Sequence, residues 1–329
     1  MQSMRIVSAA RKALKRIVLG PMDFPQQCPI GMRDPQSEVS VWLHGLDAPR
    51  DVTHTHLMAC AAPFTIGIGL ERERNAVINE STRLSLAFHE RGEGQRLLGT
   101  IGLQLSSVVF VGSQSLCLFR PTSWKNYCLP PPRLWARHLQ YAWLRRRDRT
   151  PNMPLAAREA HSMFVFYICP RPVVLVSVTD GKASNIFPMN LMGPRGNEYF
   201  SFALNSATPA TALVERAGRI ALSSVPVEQT SVAFELGKNH KKECVDWNQL
   251  PFPMTVSSTI GLPVPQFSLR VREMKIEIVR KAGSHMLFVA RTLHDECWAD
   301  GLQFFVVHGI YQAWRQRKLA LQTLRPCSS

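Results

Sequence analysis

The sequence predicts a mainly β protein made of two parts, and three observations predict it. Apolar, β-branched runs bounded by Gly, Pro, Asn or Asp recur through residues 38–120 and again through 170–293, as strands between turns do. Helical periodicity is confined to a few stretches, chiefly 133–144, with apolar residues at 134, 135, 139, 142, 143 and 144. Between the two β regions stand Pro130-Pro131-Pro132 and the linker-like TPNMP of 150–154, so the boundary falls near residue 150. The chain therefore divides into a basic segment 1–37, a β-rich domain 38–150 ending in a basic helix, and a domain 151–329 with a basic C-terminal helix.

Residues 1–20 carry five Lys or Arg and no acid. They read as a short amphipathic helix stopped at Gly20-Pro21, without the apolar core of a secretory signal. Strands are expected at 61–70, 83–88, 97–105 and 107–112, with the Gly-rich turn 91–94 among them. The run 63–70 (PFTIGIGL) is loosely similar to 172–179 (PVVLVSVT), so the first region reads as a possible degenerate copy of the second. On a strand, His54 and His56 would share a face. No third ligand follows at a metal-site spacing, so no metal is expected, and a polar face or a contact with the second domain is preferred.

The net charge of +15 is local. Residues 131–149 hold six Arg against Asp148, and 311–329 hold four bases and no acid. Aromatics are not interleaved with these bases and no nucleic-acid motif is present, so solvated tails and a helix face are preferred over a nucleic-acid surface. No apolar run approaches the ~20 residues of a membrane span. The eight cysteines are scattered without CxxC or zinc spacing, which points to a reducing cytoplasm.

The most informative stretch is 169–226. Three strand-like runs (173–178, 199–204 and 220–225) frame two polar clusters. One holds Ser184, Asn185, Pro188, Met189 and Asn190; the other holds Asn205, Ser206, Thr208 and Thr211 before a short helix with Pro209 near its start and Gly218 at its stop. Hydroxyls at a helix start have two readings. They cap orphan amides, or they stand beside those amides around a bound phosphate. Beyond Pro226, a helix is expected from 227, a basic loop at 237–252, strands at 256–261, 268–279 and 286–293, and a helix from Gly309.

PRPVVLVSVTDGKASNIFPMN (170–190), NSATPATALVERAGRIALSSVP (205–226) and GSHMLFVARTL (283–293) together resemble the flavin reductase-like, FMN-binding split-barrel family over about residues 158–312. The resemblance implies a Greek-key antiparallel barrel, here with an additional N-terminal β-rich domain. It implies an FMN-binding, NAD(P)H-dependent flavin reductase, with NADH or NADPH as reductant and an oxygenase as a partner that receives reduced flavin. In that frame the flavin ring lies along Ser184 to Asn190. The phosphate sits at Asn205, Ser206, Thr208 and Thr211, Lys238 and His240 stand in a basic loop near the cofactor, and His285 faces the nicotinamide or acceptor. Members pair with FMN at the interface, so a homodimer or an internal pseudo-dimer is implied. The isoalloxazine itself would carry the hydride, which accounts for the lack of a catalytic triad or carboxylate pair. The alternative is a non-catalytic FMN-binding or interaction protein.

Overall fold

Each apolar run of the first region has one face to bury, and the runs pair into a single sheet. A computed structural model describes residues 26–34, 37–71, 82–92, 94–112, 114–147 and 156–323. The first region contains β1 (Gln27–Met32), β2 (Val39–His44), β3 (Arg50–Asp51), β4 (Met58–Cys60), β5 (Thr65–Glu71), β6 (Leu84–Glu90), β7 (Leu97–Val111) and β8 (Gln114–Asn126). Seven of them form a sheet in the order β3-β2-β6-β7-β8-β5-β4. In β2 the alternation of Val39, Val41 and Leu43 inward with Trp42 and His44 less buried is the period-2 pattern of a one-sided sheet. Two helices, α1 (Pro131–Arg147) and α2 (Ala157–Phe166), follow. Pro131 and Pro132 open α1, where proline loses no helical hydrogen bond.

The second region contains β9 (Arg171–Pro172), β10 (Val174–Thr179), β11 (Ser184–Met189), β12 (Met192–Arg195) and β13 (Tyr199–Asn205), then α3 (Pro209–Ala217) and β14 (Arg219–Ser224). After α4 (Thr230–Leu236) come β15 (Met254–Val256), β16 (Pro263–Pro265), β17 (Arg270–Ala282), β18 (His285–Cys297), β19 (Gln303–His308) and α5 (Gly309–Thr323). Its sheet runs β11-β10-β14-β17-β18-β13-β12, and β15 pairs only with β16. Every pairing among the described strands is antiparallel. The fold is thus mainly β, as expected. A third sheet, β1-β19-β9, ties the regions together, and one core cluster draws on β2, β6, α2, β19 and α5.

Several expectations are corrected. The strands expected at 97–105 and 107–112 are the single strand β7. Register shifts at Gly102/Leu103 and Leu105/Ser107 supply the irregularity that resembled a turn. The strand expected at 256–261 is the turn of the β15–β16 hairpin, closed by Ser257 N–H on the Leu262 carbonyl and by Gly261 at φ +68°. β1 lies inside the segment 1–37 that was set apart as basic, and it pairs with β19. His54 and His56 stand in a turn, not on a strand, with His56 buried and His54 exposed. By strand order, β5 matches β13, so the run 63–70 is the counterpart of 199–205 and not of 172–179. The helix expected at 1–20 and the linker 150–154 lie outside the described residues.

Candidate functional site

The cluster at 205–211 stands at the N-terminal end of α3, and the β10–β11 turn that leads into the other cluster stands at its C-terminal end. At its C-terminal end Gly218 takes a left-handed turn (φ +64°), and Arg216 Nε meets Asp180 Oδ2 at 3.1 Å. Asp180 closes the β10–β11 turn, its Oδ1 accepting from the Lys182 and Ala183 amides at 3.0 and 2.8 Å. Those bonds from Ala183 and Lys182, with Arg216, pull its carboxyl down to about 2. At nine residues α3 is ~13 Å long, and it packs on β10, β11 and the turn 237–241.

Along β11, the side chains are tied to the basic loop. Asn185 is fully buried; its Nδ2 donates to the carbonyls of Asn239 (3.1 Å) and Lys242 (3.0 Å), while its Oδ1 has no partner. Asn239 answers by donating from Nδ2 to the Ile186 carbonyl at 2.9 Å. Ser184 Oγ donates to the Val245 carbonyl at 2.9 Å, and the Val245 amide donates to the Ser184 carbonyl at 2.7 Å. His240 donates from Nε2 to the Pro188 carbonyl at 2.9 Å with its ring 4.6 Å from Phe187, and burial holds it below the usual imidazole range. Lys238 is exposed and lines a cleft of about 560 Å³ with Asn239, Lys242 and Cys244. Pro188, Met189 and Asn190 line a separate one of about 270 Å³ with Gln27 and Phe304.

At the other end, Asn205 on β13 lies opposite His285 on β18. The hydroxyls here address main chain. Thr208 and Thr211 both donate to the Asn205 carbonyl, at 3.0 and 2.7 Å, and stand 2.9 Å apart. Ser206 Oγ donates to the Ser284 carbonyl at 3.0 Å, and Asn205 Oδ1 accepts from the Ala207 amide at 3.0 Å. This is a braced turn of the kind Asn, Ser and Thr build before a helix.

His285 is 2% exposed. Its Nδ1 receives the Ala61 amide at 3.1 Å. An amide N–H can only donate, so Nδ1 is an acceptor and the proton of the neutral ring is on Nε2. Burial keeps the ring below its usual range and therefore neutral. Ser284 completes the link by donating to the Ala61 carbonyl at 2.6 Å. Gly283 has φ +62°, and a Cβ there would stand 2.6 Å from the Ala62 carbonyl oxygen.

The structure thus brings Asn205, Ser206, Thr208, Thr211 and His285 together, and separately Ser184, Asn185, Pro188 and His240. Sequence reasoning missed the first region's contribution, Ala61 and Ala62, and the clasp made by Asn239. It also missed two buried arginines. Arg171 donates to the carbonyls of Leu57 (2.7 Å) and Phe166 (2.8 Å) and to His56 Nε2 (3.1 Å), with the guanidinium 3.3 Å from the Phe166 ring centre. Arg195 reaches the Thr55 carbonyl at 2.6 Å. Only the Arg-containing strand opening at 170–172 could have flagged Arg171. Among the described residues no group of three or more His, Cys, Asp or Glu could hold a metal, and no helix is long and apolar enough to cross a membrane.

No protein-family model matches the sequence, and no curated protein does. Among solved structures the chain is similar to the NADH:FAD oxidoreductase of Streptomyces globisporus C-1027. The match has 16% identity and TM-score 0.40, covering 44% of this chain and 87% of that one. It is similar to an FMN-binding protein of Thermus thermophilus at 22% identity and TM-score 0.37, covering 43% and 82%. It is also similar to the styrene monooxygenase flavin reductase of Pseudomonas putida S12 at 17% identity and TM-score 0.37, covering 44% and 91%.

Proposed function

We propose that the chain is a flavin reductase, an oxidoreductase that binds FMN in its second half and is reduced by NADH or NADPH. The observation that carries the reading is the neutral, Nε2-protonated His285 fixed beside the turn that opens α3. The donor set fits a flavin. Asn185 Oδ1 is a buried acceptor without a partner, which a ring N–H would satisfy. The first turn of α3 offers the positive end of a helix dipole to a phosphate, while its Thr211 and Ala212 amides donate to the Thr208 carbonyl. When bound, the flavin supplies the hydride chemistry. The chain's own residues hold its edge, keep a donor on His285 Nε2 and exclude water with the 237–245 loop.

A second reading, a non-catalytic FMN-binding or interaction protein, is favoured by one observation: Ser206, Thr208 and Thr211 spend their hydroxyl protons on main-chain carbonyls. Titration of the purified chain with FMN and FAD, followed by anaerobic NADH and NADPH, tests both. Binding of FMN and bleaching of its visible band support the reductase. Binding without bleaching leaves the binder, and no binding of either flavin sinks both. If the reductase reading holds, release of the reduced flavin to an oxygenase is the next assay.

A further inference from the structure

The two seven-stranded sheets have the same strand order once each strand of the first is matched to its successor in the second. β2 corresponds to β10, β3 to β11, β4 to β12, β5 to β13, β6 to β14, β7 to β17 and β8 to β18. From β3 to the end of β5 the spacing is constant as well. Arg50 and Ser184, Met58 and Met192, Thr65 and Tyr199, and Glu71 and Asn205, which begin or end matched strands, are each 134 positions apart. Leu57-Met58 meets Leu191-Met192 within this register. Between β3 and the end of β5 there is no insertion or deletion relative to β11–β13.

Contacts between the halves are reciprocal. The β17–β18 turn, at Gly283 and Ser284, touches the loop after β4 at Ala61 and Ala62. The β7–β8 turn, at Gly112 (φ +55°), lies against Tyr199 after β12, and the neighbouring Gly196 lies against Gln114. Met58, Cys60, Val109, Val111, Leu116 and Leu118 of one half share a core with Ala203, Leu287 and Val289 of the other. Residue i of one unit meeting residue j of the other, and j meeting i, is the signature of a two-fold interface.

The two halves are not equal at these contacts. Ala61 and Arg195 are also 134 positions apart. Arg195 crosses into the first half, where it holds the carbonyls of Thr55 (2.6 Å) and Gly67 (3.4 Å). A Cβ at Gly69 would stand 2.9 Å from its Cδ. Ala61, facing the second half, carries no such side chain. What remains of the first-half cleft, about 450 Å³, is lined by Asp51 and Glu71, carboxylates at the positions of Asn185 and Asn205.

We infer that the chain is a tandem duplication folded as its own two-fold dimer, in which the first half is the built-in partner that completes a single flavin cleft in the second. Its ligand part rests on the flavin reading above; its architectural part does not. Light scattering on the full chain should give one-chain particles of 37.0 kDa, and FMN titration by flavin fluorescence should saturate at one per chain. A stable two-chain particle, or two FMN per chain, overturns the inference. A one-chain particle that binds no FMN upholds the built-in partner and removes the proposed function instead. Ala61→Arg, which places in the second cleft what Arg195 places in the first, should abolish FMN binding while the particle mass stays that of one chain. Unchanged FMN affinity in a folded Ala61→Arg protein overturns the asymmetry.

Discussion

Replacing His285 by Asn and by Gln separates the work of its two nitrogens. Asn carries an acceptor near the position of Nδ1, so the Ala61 amide keeps its partner. Gln extends an amide toward the position of Nε2 and leaves that N–H, in a loop where Ala61 is 6% exposed, without one. A buried donor left unsatisfied costs about 1–3 kcal/mol, and packing changes at a conserved-volume site cost less than about 1.5 kcal/mol. Urea unfolding should therefore place His285→Gln about 1–3 kcal/mol below the parent and His285→Asn nearer to it. Flavin reduction should rank the other way. His285→Asn has lost the Nε2–H donor, worth ~1.5–3 kcal/mol to a charged or polarised acceptor, which is a loss of roughly ten- to a hundredfold in NAD(P)H-dependent bleaching. His285→Gln retains a donor at that end. If both variants lose stability and activity in the same order, His285 serves packing alone and the tautomer argument fails.

Three further outcomes follow from other parts of the fold. Asn185→Ala strips the buried Asn239 carbonyl and the part-buried Lys242 carbonyl of their donor; it should cost ~1–3 kcal/mol and expose the 237–245 loop to limited proteolysis before the rest of the chain, whereas unchanged cleavage would show the loop held otherwise. Arg171→Ala leaves the Leu57 and Phe166 carbonyls and His56 Nε2 unpaired in a dry site, at about 3–5 kcal/mol by chemical denaturation; a loss under 1 kcal/mol would mean water takes over those bonds. Acid should weaken the fold: burial and the neighbouring His161 push His138 down to about 4, and burial, His138 and Arg137 push His308 down to about 3. Folded-state values below the unfolded ~6.5 mean that the unfolded chain binds more protons, so stability is full above that pH and falls toward pH 4 and below, by at most ~1.4 kcal/mol per pH unit for each such ring. A flat stability profile from pH 7 to 4 would contradict this.

Much of the second half could be read before folding, because its strands are short, apolar and closed by Gly, Asp and Pro. The runs at 173–178, 199–204 and 220–225 became β10, β13 and β14 within a residue or so, and the Pro209 and Gly218 signals bracket α3. β19 went unread: QFFVVH passes straight into α5, which begins at Gly309, so no turn cluster marks its end. The site was readable in composition but not in wiring. Asn185 and the hydroxyls of 206–211 were visible as polar residues at strand ends. That their hydrogens go to carbonyls of residues 239, 242, 205 and 284 depends on how distant segments meet, and main-chain acceptors leave no mark in a sequence. The Ala61 contribution was hidden for the same reason, since Ala61 and His285 are 224 positions apart and an amide donor places no demand on its side chain.

The sheet β1-β19-β9 sets the order in which this chain can be finished. β1 is among the first described residues to leave a ribosome, and β19 among the last, yet among the described strands β1 pairs with β19 alone, and so does β9. During synthesis β1 must wait with open edges while more than two hundred and fifty residues are added between Met32 and Gln303, and β9 while residues 173–302 are added. Unpaired strand edges on an incomplete chain are what chaperones cover and what aggregation exploits, and the closing contact is among the longest the chain makes, which slows its formation. A stop codon anywhere before residue 303 would therefore strand the beginning of the protein as surely as its end.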